Sequence, residues 1–219
     1  MTTTLSIELL DSNKEIEEKV NAAIINILNK EISKGSKSTN EDLLNLIIKW
    51  IREQPEIDSL RAEGVQNSLN ATFGLLPGQA SVAINHIIKA VAGSIVINIK
   101  KFDKNYKGGI NFYIQPEDFN NLLALNSGYT QNTDQGWFDL TLPWLDWLLL
   151  KGDSVIIVGY TYIPTRGGRS GGGIMGAGSS WRVDPRFSGT ANNNFITRAL
   201  SGREREIQKI FEIIFSGIT

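Results

Sequence analysis

The sequence predicts an α+β fold: a small antiparallel sheet of three or four strands packed by helices, with a helical N-terminal region and a long C-terminal helix. Three observations lead there. Apolar residues repeat at helical spacing from Ile16 to Ala92, alternate at strand spacing in segments between Ile95 and Ile163, and return to helical spacing after Asn193. No repeat of fixed period runs along the chain, which excludes a solenoid or propeller.

The first helix carries Ile16, Val20, Ala23, Ile24, Ile27 and Leu28 behind an acidic start at Glu15, Glu17 and Glu18, which complements the helix dipole. Gly35 and Ser36 predict its end. Thr39, with Asp42 three residues on, then caps a second helix through Leu43, Ile47, Trp50 and Ile51, which Pro55 stops. Asn67 to Phe73 gives a short helical turn and Gln79 to Ala92 a longer helix. Ile95, Ile97 and Ile99, then Ile110, Phe112 and Ile114, alternate on either side of the turn-rich D-K-N-Y-K-G-G, so a β-hairpin is expected. Pro116 suits the start of a short helix through Phe119, Leu122 and Leu123. Another helix is expected between Pro143 and Gly152. Val155 to Ile163 predicts a third strand and Trp181 to Val183 a short fourth. The last helix is expected to start at Asn193 or Asn194 and run to Phe215. The chain thus divides into a helical N-terminal region, 1–92, and an α+β domain, 93–219, two parts that could equally be one continuous domain.

Composition narrows the chemistry. A net charge of −1 excludes a globally basic nucleic-acid binder, so any attraction to phosphate must come from local patches. The absence of cysteine removes disulfides, thiolate catalysis and cysteine-ligated metals, and the single histidine, His86, reads as a helix residue. No catalytic, metal or cofactor-binding residue is assigned, and no cofactor is expected. The N-terminus lacks the basic-then-apolar pattern of a secretory leader. The most apolar run, Leu140 to Tyr160, is interrupted by Asp146, Lys151, Gly152 and Asp153, so no membrane span is expected.

The segment from Pro164 to Leu200 is the most distinctive. A glycine-rich arm at about 164–180 is followed by a patterned stretch, and together they hold Arg166, Arg169, Arg182, Arg186 and Arg198 against one acid, Asp184. Glycine makes a loop costly to order, which predicts an arm that stays mobile until a partner fixes it. The arginines form a candidate interface or DNA-channel surface, because a guanidinium fork binds phosphate or carboxylate in a bidentate way. Trp144 and Trp147 read first as core, and alternatively as anchors facing a partner subunit. Gly171, Gly173 and Gly176 fit G-x-G-x-x-G, but no helix is expected to open there, as a dinucleotide site requires. Asp134 and Asp139 flank Gly136 and Trp137, and a glycosidase uses paired carboxylates, but solvated loop acids are the commoner reading of such a pair.

The runs G-R-S-G-G-G-I-M, W-R-V-D-P-R-F-S-G-T-A-N-N-N-F-I-T-R-A-L and L-P-W-L-D-W-L-L-L-K-G-D-S-V-I-I-V-G-Y, spanning about 140–205, resemble tailed-bacteriophage virion proteins of the neck and tail-completion kind. The resemblance implies a non-enzymatic structural role in the virion, as a head–tail joining or tail terminator ring. It implies partners as well: copies of the chain in a ring of six or twelve, neighbouring portal-side connector and tail proteins, and non-specific contact with packaged DNA. The alternatives are a nucleic-acid-binding module using the arginine cluster and a cell-wall glycan hydrolase using Asp134 and Asp139.

Overall fold

The computed structural model describes residues 11–114, 118–130, 142–168 and 170–216, with side chains at all of these except 36–39, 211 and 213–216. Over this range the chain is α+β. Its elements are α1 (Asn13–Arg52), α2 (Pro55–Arg61), α3 (Leu69–Thr72), α4 (Gln79–Gly93), β1 (Val96–Lys100), β2 (Gly109–Tyr113), α5 (Asn120–Leu123), α6 (Trp144–Leu149), β3 (Ile157–Ile163), β4 (Ile174–Trp181), α7 (Phe195–Leu200) and α8 (Glu204–Ser216). They fall into two compact units. One comprises 1–42, 97–112 and 206–219, the other 43–96 and 113–205, so each draws on both sides of residue 92.

In the first unit a reciprocal cap opens α1. Glu15 N donates to Ser12 Oγ (3.3 Å) while Ser12 N donates to Glu15 Oε2 (2.8 Å), satisfying two helix-end donors. The bond from Ser12 N, with a second from Ser12 Oγ (2.8 Å), holds the Glu15 carboxyl below its usual pKa. The hairpin of β1 and β2 matches the predicted alternation: Ile97, Ile99, Ile110 and Phe112 are half-buried, while Val96, Asn98 and Lys100 are exposed. Asn29 on α1 pins the residue after β1, donating Nδ2 to Phe102 O (3.1 Å) and accepting from Phe102 N (2.7 Å). Ile32, Ile207 and Ile210 are buried, but Val20, Ile24 and Ile27 remain exposed on α1.

The second unit is a helical core carrying a β-ribbon. Leu43, Ile47, Trp50 and Ile51 from the end of α1 are buried, as are Ile57 and Leu60 on α2, Ala83 and Ile87 on α4, and Trp144 and Leu148 on α6. Pro55 does more than stop a helix. It occupies the first turn of α2, where its missing N–H costs nothing. The ribbon pairs β3 with β4 antiparallel, from Ile157 opposite Trp181 to Ile163 opposite Ile174, with a bulge between Val158 and Tyr160, where Gly159 (φ 83) faces both Gly178 and Ser179.

Three expectations are corrected. The strands form two separate two-stranded sheets, β1–β2 and β3–β4, because alternation marks a strand but does not choose its neighbour. Gly35 and Ser36 do not end the first helix, since α1 continues to Arg52. The cost of about 1 kcal/mol for a helical glycine is small beside the apolar faces on either side. The long C-terminal helix is two helices, α7 and α8. Ser201 is the C-cap of α7 and Gly202 follows at φ 72, the left-handed conformation that terminates helices. Pro116 lies outside the described residues. Among those described, no helix is long and apolar enough to cross a membrane.

Candidate functional site

The glycine-rich stretch is where structure and sequence part most clearly. Its described residues are not a free arm, because Ile174 to Trp181 is a strand in a regular ladder. The glycines are required by close approach. A Cβ on Gly178 would lie 2.5 Å from Thr161 Cβ, and one on Gly173 would lie 2.7 Å from Tyr162 Cζ and 2.8 Å from Ile163 O. The G-x-G-x-x-G match therefore leads into a strand and not a helix. Gly173→Val is expected to destabilise the unit by about 2 kcal/mol through overpacking. Gly167→Val, where a Cβ meets nothing within 4 Å, is the control. Urea unfolding of the two variants checks this, and equal midpoints would contradict it.

The ribbon covers a cavity of about 410 Å³. Phe73, Leu142, Ile157, Ile174 and Met175 give it apolar walls, and Ser170, Tyr162 and Trp181 add polar atoms. Tyr162 is held in place: its hydroxyl donates to Gly172 O (2.7 Å) and accepts from Asn67 N (3.0 Å). Phe73 packs between two indoles, with ring centroids 5.6 Å from Trp144 and 6.2 Å from Trp181. A more polar concavity of about 360 Å³ shares Thr72, Tyr162 and Trp181 with the first and extends to Arg182 and Asp184.

Among the described residues the arginines are engaged in different ways. Arg198 is paired with Glu56, a fully buried carboxylate, and also donates to Asn193 Oδ1 (2.8 Å). Arg186 binds Asp184 through Nε and Nη2 (3.0 and 2.7 Å), which holds the Asp184 carboxyl below its usual pKa. Arg182 is exposed and donates to Asp153 O (3.1 Å), and Arg166 is exposed. Arg203, just beyond the stretch, lies 5.1 Å over the Trp50 ring. Arg169, Asp134 and Asp139 lie outside the described residues.

Trp144 and Trp147 are core residues, 0% and 6% exposed. Lys151 sits 4.4 Å from the Trp147 ring and bridges to Asp146 (3.1 Å). His86 is exposed and shares a hydrogen bond with Ser127 Oγ (3.1 Å). Among the described residues no group of three or more acidic or histidine side chains could hold a metal ion.

Sequence reading missed the role of Asn194. It is fully buried and caps α7, accepting at Oδ1 from Ile196 N and Thr197 N (both 3.0 Å), while Thr197 Oγ1 accepts from Asn194 N (2.8 Å). Its Nδ2 donates to Thr190 O (2.9 Å) and Leu149 O (3.2 Å), tying the cap to the end of α6. The readable signal was N-x-x-T before an apolar run. The chain matches no known family model, no curated protein and no solved structure.

Proposed function

We propose that this chain is a non-enzymatic structural component of a tailed-phage virion, placed at the neck or tail end as a head–tail joining or tail terminator ring. One observation carries the reading: an apolar face left open on α1. Val20, Ile24 and Ile27 are 51%, 41% and 52% exposed and stand at i, i+4 and i+7, on one side of the helix. Half-buried Ile16 extends the same line toward the start of α1. A stripe of branched aliphatics on a charged helix fits a second copy of the chain, and repeated head-to-tail contacts close a ring. The resemblance of 140–205 to neck and tail-completion proteins supplies the setting. The neighbours in that setting are portal-side connector and tail proteins, and exposed Arg166 and Arg182 are the arginines suited to touch packaged DNA.

The reading is tested by light scattering and negative-stain microscopy of the purified chain, alone and added to particles of a phage lacking its gene. Rings, or restored joining of heads to tails, are expected. The triple variant Val20→Lys, Ile24→Lys, Ile27→Lys should keep its helical circular dichroism and lose assembly by at least tenfold in concentration, about 1.4 kcal/mol or more. A wild-type chain that stays monomeric and leaves particles unchanged ends the proposal.

A further inference from the structure

Positive charge gathers at the tip of the β1–β2 hairpin. Lys100, Lys101, Lys104 and Lys107 stand there against one acid, Asp103, in a chain whose net charge is −1. All four are exposed, and none forms an ion pair among the described residues. Glu17 and Glu18 lie one turn before Asn21, the α1 residue that meets this tip, yet they make no such pair with it. Asp103 is committed to the turn, where its Oδ1 accepts from Asn105 N (2.8 Å) and Lys107 N (3.0 Å). Outside the described residues of this unit, Glu8 is the only acidic side chain, too little to neutralise four lysines.

The tip is also held in shape. Tyr106 takes a left-handed conformation (φ 58) and donates its hydroxyl to Asn21 Oδ1, while 42% of the residue stays exposed. A bulky residue keeps that conformation only where its surroundings compel it. A Cβ on Gly108 would lie 2.7 Å from Phe102 N and Cα, so the two sides of the loop meet closely.

We infer that this hairpin tip is a contact site for the sugar–phosphate backbone of a nucleic acid, engaged without regard to base sequence. The bond from Asp103 N to Lys107 O (3.2 Å) folds Lys104 and Lys107 back toward Lys100 and Lys101. Charges grouped in this way act together where scattered ones are screened. Lysine presents a point charge and no planar fork, which suits phosphate oxygens and gives no base readout. The exposed Tyr106 ring adds an aromatic face against which a base or sugar can rest. A lipid surface is a poorer match, because residues 100–107 hold no aliphatic side chain to insert and Phe102 is half-buried. The tip belongs to a different unit from Arg166 and Arg182, and the inference does not rest on the assembly reading.

Fluorescence anisotropy of the full-length chain with a labelled, mixed-sequence DNA duplex tests this over a series of salt concentrations. Binding is expected at low salt, with log K falling against log salt at a slope of about −3 to −4, as four phosphate contacts require. The variant Lys100→Gln, Lys101→Gln, Lys104→Gln, Lys107→Gln should bind about tenfold or more weakly and lose most of that slope. Lys34→Gln, Lys49→Gln, Lys89→Gln, Lys209→Gln removes the same charge from exposed positions elsewhere and should keep the wild-type slope. Asp103→Asn keeps an oxygen for the turn and removes the one negative charge, so it should tighten binding about threefold. A gain of that kind cannot come from misfolding. Equal slopes in the two quadruple variants would overturn the proposal, as would a wild-type chain that fails to bind the duplex at low salt. Displacement by poly-glutamate at equal charge concentration would assign the tip to an acidic protein instead, and binding to phosphatidylserine vesicles but not to the duplex would assign it to a membrane.

Discussion

Replacing Arg198 by alanine is expected to lower stability by about 3 kcal/mol, because it strands a buried carboxylate. Glu56 is fully buried in the first turn of α2. One of its oxygens is paired with Arg198, and the other has no partner among the described residues. Burial pushes its pKa above the usual 4.5, against the opposing pull of its own backbone N–H and of Arg198. A raised carboxyl pKa means that the native state binds its proton more tightly than the unfolded chain does. Stability therefore falls as pH rises through the elevated native value and recovers on acidification toward 4.5. Without Arg198 the native value climbs further, so the penalty should be largest near neutral pH and shrink in mild acid. The double variant Glu56→Gln, Arg198→Ala should recover most of the loss, since no charge remains buried. Urea unfolding at two pH values, followed by tryptophan fluorescence, measures all three quantities. A single variant as stable as wild type at neutral pH would show that the pair contributes little.

Asn194→Ala is expected to cost about as much, by a different route. The cap of α7 is worth about 1 kcal/mol, and orphaning the buried-side carbonyl of Leu149 adds about 2 kcal/mol, while the Thr190 carbonyl keeps its bond from Asn193 N (3.1 Å). Asn194→Ser keeps an oxygen for the cap but loses the amide donors, so it should fall roughly midway. Amide hydrogen exchange locates the damage: alanine should expose Ile196 and Thr197, whereas serine should protect them. Equal exchange in the two variants would mean that the cap is not what Asn194 contributes.

What could be read from the sequence followed how local each signal was. The alternation around Ile97, Ile99, Ile110 and Phe112 located the first hairpin, and the proline and glycine flanking Leu145–Leu149 located α6. The C-terminal break was readable as well, since Ser201–Gly202 is a helix-stop pair, but the continuing apolar spacing outweighed it. The Gly171–Gly178 stretch misled for a physical reason. Glycine signals freedom in a chain considered alone, whereas here Tyr162, Ile163 and Thr161 occupy the room its missing side chains leave. Those partners are many residues away and follow no spacing rule. The same holds for Arg198, whose partner Glu56 is 142 positions away and carries no motif. The apolar face of α1 was visible in the spacing of Val20, Ile24 and Ile27, but spacing does not say whether a face is covered.

The bulge at Gly159 bears on how the chain behaves when concentrated. A two-stranded ribbon leaves an outer edge on each strand, and β3 also displays Val158 and Tyr160, 77% and 50% exposed. Edges of that kind recruit one another into cross-β aggregates. Here two residues of β4, Gly178 and Ser179, oppose the single left-handed Gly159 of β3, which twists the ribbon and interrupts its row of N–H and C=O groups, so a second ribbon cannot lie flat against it. The bulge thus acts as a safeguard for shelf life. Deleting Ser179, one of the two β4 residues that face Gly159, should regularise the ladder, and the resulting protein should form thioflavin-positive fibrils sooner than the parent on storage.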